Sequence, residues 1–393
     1  SYSFENYTVN TISKKYFTTI YEEGPGKALY EAWKNVGKGG LCFGMAYTTA
    51  AIYNDLPPCS TISTLNHKYC DNIREIVNYR FGLSPASSLL TIGDRIITIG
   101  DYIKYAHIYQ LSSNVAKANE STLGDVDGLY TAVKTYTDSD QIKVTIRLIH
   151  YKTDSSGNRL LDHNGNYLTT AHRVLAIGYE DNDILIDDPN NSNHPERLVI
   201  GDDGSWTYTG AWTSDGVNSA NSEICYSMDY YRPYQILLTG KRVSVADVFL
   251  DGAANQETYL EGMERLDANH TLLYLENCDG AALSGNAVKV TADYGGNDEY
   301  SGDLYWVENT SSVHVSDLAG ANSTVMIAGD NTIITANANQ ITEFRGTIDD
   351  SCQNIELSAE TENTCTISYE TVSSETDVAV EITGVIADDT VSI

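Results

Sequence analysis

Basic residues and long apolar runs are both scarce in this sequence. Its 393 residues include 24 Lys and Arg against 54 Asp and Glu, which gives a formal net charge of −30. Such a balance disfavours nucleic acid and anionic membrane surfaces as partners, because both are themselves negatively charged. No run of about 18 apolar residues occurs, so no membrane span is expected.

Cysteine is sparse, and the common metal and cofactor motifs are missing. There are seven cysteines and no His-Glu-x-x-His or Cys-x-x-Cys pattern, so a zinc site has little support. No glycine-rich phosphate loop is present, and we expect neither a metal nor a cofactor. Six cysteines remain if one is a nucleophile. Local bridges Cys59–Cys70 and Cys352–Cys365 are possible, and free thiols are equally possible.

Composition divides the chain near residue 243. Before that point, helical patterns come first and strand patterns follow, which predicts an α+β domain with an antiparallel sheet over residues 1–242. After it, aromatic residues thin out and short strands alternate with turn signals. Residues 243–393 are therefore expected to form an all-β domain, with a β-sandwich favoured over a β-solenoid.

Local patterns predict the main elements of the first part. The predicted helices cover Cys42 to about Asn54, Tyr69–Phe81, Ile99–Leu111 and Asp125–Tyr136, the last capped by Asp125. The predicted strands include residues 172–180 and 183–187, and a final strand at Tyr234–Leu238.

Cys42 is the residue best placed for chemistry. It follows Gly39-Gly40-Leu41 and opens the helical pattern Phe43-Gly44-Met45-Ala46. A helix N-terminus carries a partial positive charge and free N–H groups, and both favour a thiolate, which is the nucleophilic form of cysteine. A buried structural thiol is the competing interpretation. The glycines and the residues downstream favour the chemical one.

The downstream residues supply a base and an acid in a matching order. His172 opens the strand pattern His-Arg-Val-Leu-Ala-Ile-Gly-Tyr, and Asp188 ends the next one, Ile-Leu-Ile-Asp-Asp-Pro-Asn. Because the start of one antiparallel strand faces the end of the next, the two side chains are expected to be neighbours. Asp187 should face the other side of the sheet, and Asn190 is the alternative third residue.

These three motifs resemble the papain-like cysteine peptidase superfamily, and more narrowly the secreted bacterial proteins close to the bacteriocin-processing (double-glycine) peptidases. The resemblance covers roughly residues 20–240. It implies a papain-like fold, a nucleophile at Cys42, a general base at His172 and an orienting acid at Asp188. Members of that group usually carry a Gln about six residues before the Cys. Here Asn35 is the candidate for that oxyanion-hole role, and Arg173 after the His is a second departure that could alter access.

The sequence thus predicts a multidomain, secreted or cell-surface bacterial hydrolase, a cysteine (thiol) protease that cleaves peptide bonds in a protein or peptide substrate through an acyl-enzyme. The acidity and the Asn-, Thr-, Ser- and Gly-rich loops favour export. The alternative is a catalytically silent papain-like scaffold whose β domain serves adhesion or binds a cell-surface or extracellular ligand. A different acyl transfer is the third hypothesis. The remaining histidines are expected to be packed, as for His107, or to lie in surface loops and strands, as for His150.

Overall fold

A computed structural model describes most of the chain. The described residues are 12–34, 39–54, 89–92, 95–161, 167–210, 212–230, 232–239, 265–278, 282–284, 286–290, 302–308, 312–316, 323–330, 332–338, 343–347, 354–358, 363–372, 378–386 and 391–392.

Among the described residues, the helices lie before residue 240. They are α1 (Lys14–Ile20), α2 (Glu23–Trp33), α3 (Cys42–Tyr53), α4 (Ile99–Ile108), α5 (Ser113–Ser121), α6 (Val126–Asp138) and α7 (Arg232–Thr239), with a 3₁₀ turn at Tyr109–Leu111. Within the described ranges, none of these helices is long and apolar enough to cross a membrane.

Strands dominate the rest of the described chain, and they pair antiparallel within each sheet. They are β1 (Leu89–Ile92), β2 (Arg95–Thr98), β3 (Thr145–Tyr151), β4 (Thr169–Glu180), β5 (Asp183–Asp188), β6 (Asn191–Ile200), β7 (Trp206–Tyr208), β8 (Val217–Asn218), β9 (Ser222–Ser227), β10 (His270–Glu276), β11 (Ala282–Ser284), β12 (Ala287–Lys289), β13 (Gly302–Glu308), β14 (Ser312–Ser316), β15 (Ser323–Gly329), β16 (Thr332–Ala338), β17 (Glu343–Thr347), β18 (Asn354–Ser358), β19 (Asn363–Thr371), β20 (Val378–Ile386) and β21 (Val391–Ser392). The mixed helical and antiparallel fold expected from the sequence is therefore present.

The chain separates into two compact units. The first comprises residues 1–12, 35–239 and 291–297, and the second comprises 13–34, 240–290 and 298–393. The sequence analysis drew a boundary from composition alone, near residue 243. The second unit also takes in α1 and α2, which precede that boundary by more than two hundred residues.

Helix α3 is the central helix of the first unit. Every residue from Cys42 to Ile52 is buried, because the helix is apolar around its whole circumference. Gly44 permits the close approach of α4: a Cβ at this position would lie 2.1 Å from the carbonyl oxygen of Ile103. The Gly44 N–H also donates to Nδ1 of His107, at 3.4 Å. These contacts fix the helix that begins at Cys42.

The sheet of the first unit has the strand order β8-β7-β6-β5-β4-β3-β9. Its inner face packs against α6, whose Asp125 cap accepts the Gly128 N–H at 2.9 Å, as the sequence predicted. The buried cluster between them contains Leu129, Val133, Val144, Ile146, Leu148, Val174, Ala176, Ile184, Ile186, Leu198, Trp206, Tyr208, Val217, Ile224 and Tyr226.

The second unit contains a seven-stranded sheet, β12-β13-β10-β15-β16-β19-β20, and a five-stranded sheet, β11-β14-β17-β18-β21. Helices α1 and α2 belong to this second unit. Tyr21 stacks on the buried Trp306 with ring centroids 5.7 Å apart, and Lys27 forms an ion pair with Glu370. A Cβ on Gly24 would meet the Gly329 carbonyl oxygen at 2.0 Å, so only glycine allows this contact between α2 and β15.

One predicted element is wrong. Residues Tyr234–Leu238 were predicted as a strand, but they belong to helix α7. Pro233 stands in the first turn, where its missing N–H costs nothing, and this was the overlooked helix signal. The helix predicted at Tyr69–Phe81 lies outside the described residues, as do Cys59, Cys70 and Cys352.

Candidate active site

Cys42 is the first residue of α3 and is only 5% exposed. Gly40, two residues earlier, has a φ of 111°, a conformation that favours glycine and lets the loop turn into the helix. The Cys42 N–H lies at the helix N-terminus, where no residue of the helix can accept it. The thiol and one potential oxyanion donor therefore belong to the same residue.

His172 approaches Cys42 from strand β4. The imidazole forms a side-chain hydrogen bond with Cys42, and its Nε2 lies 2.6 Å from Oδ1 of Asp188. Because Nε2 is taken by the carboxylate, Nδ1 is the nitrogen left to face the thiol. His172 is 2% exposed, so the contact is shielded from bulk water.

Sheet register explains why His172 and Asp188 meet. Leu175 pairs with Asp187 between β4 and β5, so the position opposite Asp188 is Val174, and His172 stands two residues before it on the same face. Diagonal neighbours of this kind are within side-chain reach. The sequence expectation that the start of β4 faces the end of β5 is met in the structure.

Asp188 is held by more than the imidazole. It is 3% exposed; its Oδ1 also accepts the Asn190 N–H at 2.7 Å, and its Oδ2 accepts the hydroxyl of Tyr208. Asn190, the alternative third residue, thus supports Asp188 through its backbone and lines the adjoining cavity. Tyr208 was missed by the sequence analysis because it arrives from β7, twenty residues further along the chain.

The charges in this cluster reinforce one another. Burial alone lowers the pKa of His172, but the Asp188 carboxylate, and after it Cys42, outweigh that effect and raise the pKa to about 10. Burial raises the pKa of Asp188, yet His172, the Tyr208 hydroxyl and the Asn190 N–H lower it below its usual range. The geometry therefore favours an imidazolium between a carboxylate and the cysteine sulfur.

A cavity of about 610 Å³ opens onto Cys42 and His172. Trp212 covers the imidazole from this side, with its ring centroid 5.5 Å from that of His172. The lining residues are Gly39, Gly40, Cys42, His150, Lys152, Thr153, Leu160, Thr170, Ala171, His172, Asn190, Trp212, Thr213, Ser214 and Asp215. The cavity is large enough for several residues of a peptide.

The cavity also contains a second histidine, which the sequence analysis assigned to the surface. His150 is 5% exposed; its Nδ1 lies 3.0 Å from the Ser222 hydroxyl and its Nε2 3.3 Å from Oδ1 of Asp215. The expectation of a surface position is wrong because β3 is covered on both sides, by β4 and β9 at its edges and by Trp212 over this face.

The remaining predicted residues have varied positions. Asn35, the candidate oxyanion donor, lies outside the described residues. Arg173 does not line the cavity: it is 1% exposed, and its guanidinium lies 4.9 Å from the centre of the Phe43 ring. His107 is fully buried in α4, as expected. In the part of the chain that the structure describes, no group of three or more His, Cys, Asp or Glu side chains is arranged to hold a metal ion.

Comparison with known proteins gives no relative. No family model, curated protein or solved structure matches this chain. The geometry of the site is therefore the basis for assigning a function.

Proposed function

We infer that this protein is a papain-like cysteine peptidase that hydrolyses peptide bonds through Cys42, His172 and Asp188. The observation that carries the proposal is the buried chain of contacts from the thiol to the imidazole and from its Nε2 to the carboxylate at 2.6 Å. A structural thiol needs neither a protonated base nor an oriented acid. The cavity beside this chain of contacts supplies room for a substrate.

Each residue has a defined step in the proposed reaction. The Cys42 sulfur attacks the substrate carbonyl carbon, and the developing oxyanion is stabilised by the Cys42 N–H. The imidazolium of His172 then protonates the departing amine as the C–N bond breaks, which leaves an acyl-enzyme. His172 next takes a proton from water, the hydroxide attacks the thioester, and the Cys42 thiolate leaves as the acid is released, which restores the pair of thiolate and imidazolium. Asp188 keeps the imidazole oriented throughout.

The proposal also covers where the enzyme acts and what the second unit does. A secreted or cell-surface bacterial enzyme is supported by the strongly acidic composition, with a net charge of −30. The two antiparallel sheets of the second unit support a β-sandwich. Its function in this proposal is to bind a cell-surface or extracellular ligand.

The first test is thiol labelling with iodoacetamide, with mass spectrometry to locate the modified residue. Among the described cysteines, Cys42 and Cys225 are buried and Cys278 is half-buried. If reactivity followed exposure alone, Cys278 would be the first of these three to react. We expect Cys42 to react fastest, even well below the ordinary thiol pKa of about 8.5, and to slow markedly in His172→Ala.

Turnover is then measured with a library of internally quenched peptides. Cys42→Ala should abolish cleavage with little loss of fold, whereas Cys225→Ala is the matched control and should retain it. Equal cleavage by Cys42→Ala and the wild type would refute the mechanism. Fast Cys42 labelling with no cleavage of any peptide would favour the silent scaffold, and the second unit would then be tested for binding.

A further inference from the structure

The cavity next to Cys42 has a charged wall that the proposed reaction does not use. Asp215 and His150 form it: the Asp215 side chain is 48% exposed, whereas that of His150 is 7% exposed. The carboxylate thus faces the cavity while the imidazole holds it from behind. In the described part of the chain, Asp215 Oδ1 contacts His150, and no partner is present for its Oδ2.

The wall is rigid because several contacts fix it. The His150 ring is anchored by Ser222, whose hydroxyl donates to Oδ1 of Asn221 at 2.8 Å. The turn after Asp215 is fixed at the Gly216 carbonyl, which accepts from Asn221 Nδ2 and from the Thr213 hydroxyl, each at 3.1 Å. An acceptor held in one position loses little conformational entropy when a ligand binds.

The wall lies close to the reacting sulfur. Between β3 and β4, Leu148 pairs with His172 and His150 pairs with Thr170, so both imidazoles project from the same face as diagonal neighbours. Trp212 touches both, with ring centroids 5.5 Å from His172 and 6.1 Å from His150. Cys42 and Asp215 line the same cavity, so a substrate bound at the sulfur brings residues beside its scissile bond to the wall that contains Asp215.

We propose that Asp215, positioned by His150, binds a lysine or arginine side chain of the substrate next to the scissile bond. The inference rests on the proposed peptidase function. Trp212 and Leu160 line the same cavity and offer apolar surface to the long stem of such a side chain. The terminal ammonium or guanidinium then donates to the exposed carboxylate oxygen.

Other charges in the cavity bear on this assignment. Lys152, the residue directly after β3, also lines it. An acidic substrate residue would instead pair with this ammonium. We assign the specificity to Asp215 because its carboxylate is fixed, whereas lysine carries its charge on a flexible four-carbon stem.

The test uses sets of three internally quenched peptides that differ only in having Lys, norleucine or Glu at one of the four positions around the cleaved bond. Norleucine matches the lysine stem without its charge. At one position we expect kcat/KM for Lys to exceed that for norleucine by about tenfold to a hundredfold, the range of a charge-assisted hydrogen bond. Asp215→Asn should reduce this ratio to nearly one.

Asp202→Asn is the matched control, because Asp202 is exposed, accepts only a long 3.5 Å bond from Asn182 among the described residues, and does not line the cavity. It should leave the Lys/norleucine ratio unchanged. A wild-type preference for Glu, no preference, or a Lys preference that survives Asp215→Asn would overturn the assignment. If peptides are cleaved without this preference for Lys, the Asp215 assignment is wrong and the proposed peptidase function stands.

If no peptide is cleaved, the proposed function fails, and peptidyl acyloxymethyl ketones test Asp215 separately. They alkylate Cys42 without turnover. Faster labelling by the Lys ketone than by the norleucine ketone, abolished in Asp215→Asn, would support the binding site. Equal labelling by both, or labelling by neither, would overturn it.

Discussion

Replacing Asp188 by Asn should remove the negative charge that keeps the His172 imidazole protonated. The substitution preserves shape and removes the carboxylate that contacts His172 Nε2 at 2.6 Å. The Asn190 N–H and the Tyr208 hydroxyl, which both donate to Asp188, then compete for the single amide oxygen of Asn. Both the protonation of His172 and the stability of the fold should respond.

The magnitude follows from the pKa of His172. Its rise from 6.5 to about 10 corresponds to about 5 kcal/mol in favour of the imidazolium. Asp188 is the largest favourable contributor, and burial opposes it, so without the carboxylate the pKa should fall to the ordinary value or below. At pH 8 a histidine of ordinary pKa is only about 3% protonated. Cys42 would then face a mostly neutral ring.

Three measurements check this prediction. NMR titration of the His172 ring should show the lowered pKa directly. Iodoacetamide alkylation of Cys42 at pH 7, where a ring of ordinary pKa is already mostly neutral, should slow by about tenfold or more, and peptide turnover should fall, though less than in His172→Ala. The control is Asp183→Asn, on the same strand as Asp188, which removes a partly exposed partner of Arg197. It should change neither the pKa of His172 nor the alkylation rate of Cys42.

Stability should depend on pH with a definite sign. A raised folded-state pKa of His172 contributes stability that is complete below pH 6.5 and is lost as the pH rises through about 10. The free energy of unfolding should therefore be lower in Asp188→Asn by about 3 kcal/mol near pH 6, and this difference should shrink above pH 7. Urea denaturation measures it. A difference that is absent at pH 6, or that grows toward pH 10, would refute the reasoning.

Three further outcomes are expected. Tyr208→Phe removes one donor to Asp188, so it should lower the free energy of unfolding by about 1–2 kcal/mol and slow Cys42 alkylation less than Asp188→Asn does, both measured as above. Gly44→Ala should destabilise the protein by about 1–3 kcal/mol in urea, since its Cβ would meet the Ile103 backbone. Because the folded-state pKa of Asp188 is lowered, its contribution to stability should hold above pH 3.8 and disappear as the pH falls further; acid titration of wild type against Asp188→Asn checks this sign.

The part of the site that could be predicted is the part built from local rules. The helix beginning at Cys42 was predictable because a glycine pair precedes an apolar run, and His172 and Asp188 were expected to meet because they sit on consecutive antiparallel strands. No such local rule predicts the contact between Tyr208 and Asp188. Its hydroxyl reaches Asp188 only because β7 joins the same sheet beyond β6.

Helix α7 shows where local pattern failed. Its short apolar run fits a strand or a buried helix equally well, and periodicity alone does not separate the two over so few residues. Residues 13–34 also show that local patterns do not reveal long-range contacts, because this segment packs with strands more than two hundred residues away. Composition measured along the chain does not register such contacts.

The sequence by itself determined the local elements of the site: a thiol at a helix start, a histidine opening one strand and an acid closing the next. Only the tertiary structure decided what surrounds them. Trp212 covers His172, and His150 turns from an expected surface residue into a buried partner of Asp215. The reason is physical: backbone propensity acts over a few residues, whereas burial and charge pairing depend on which distant segments pack together.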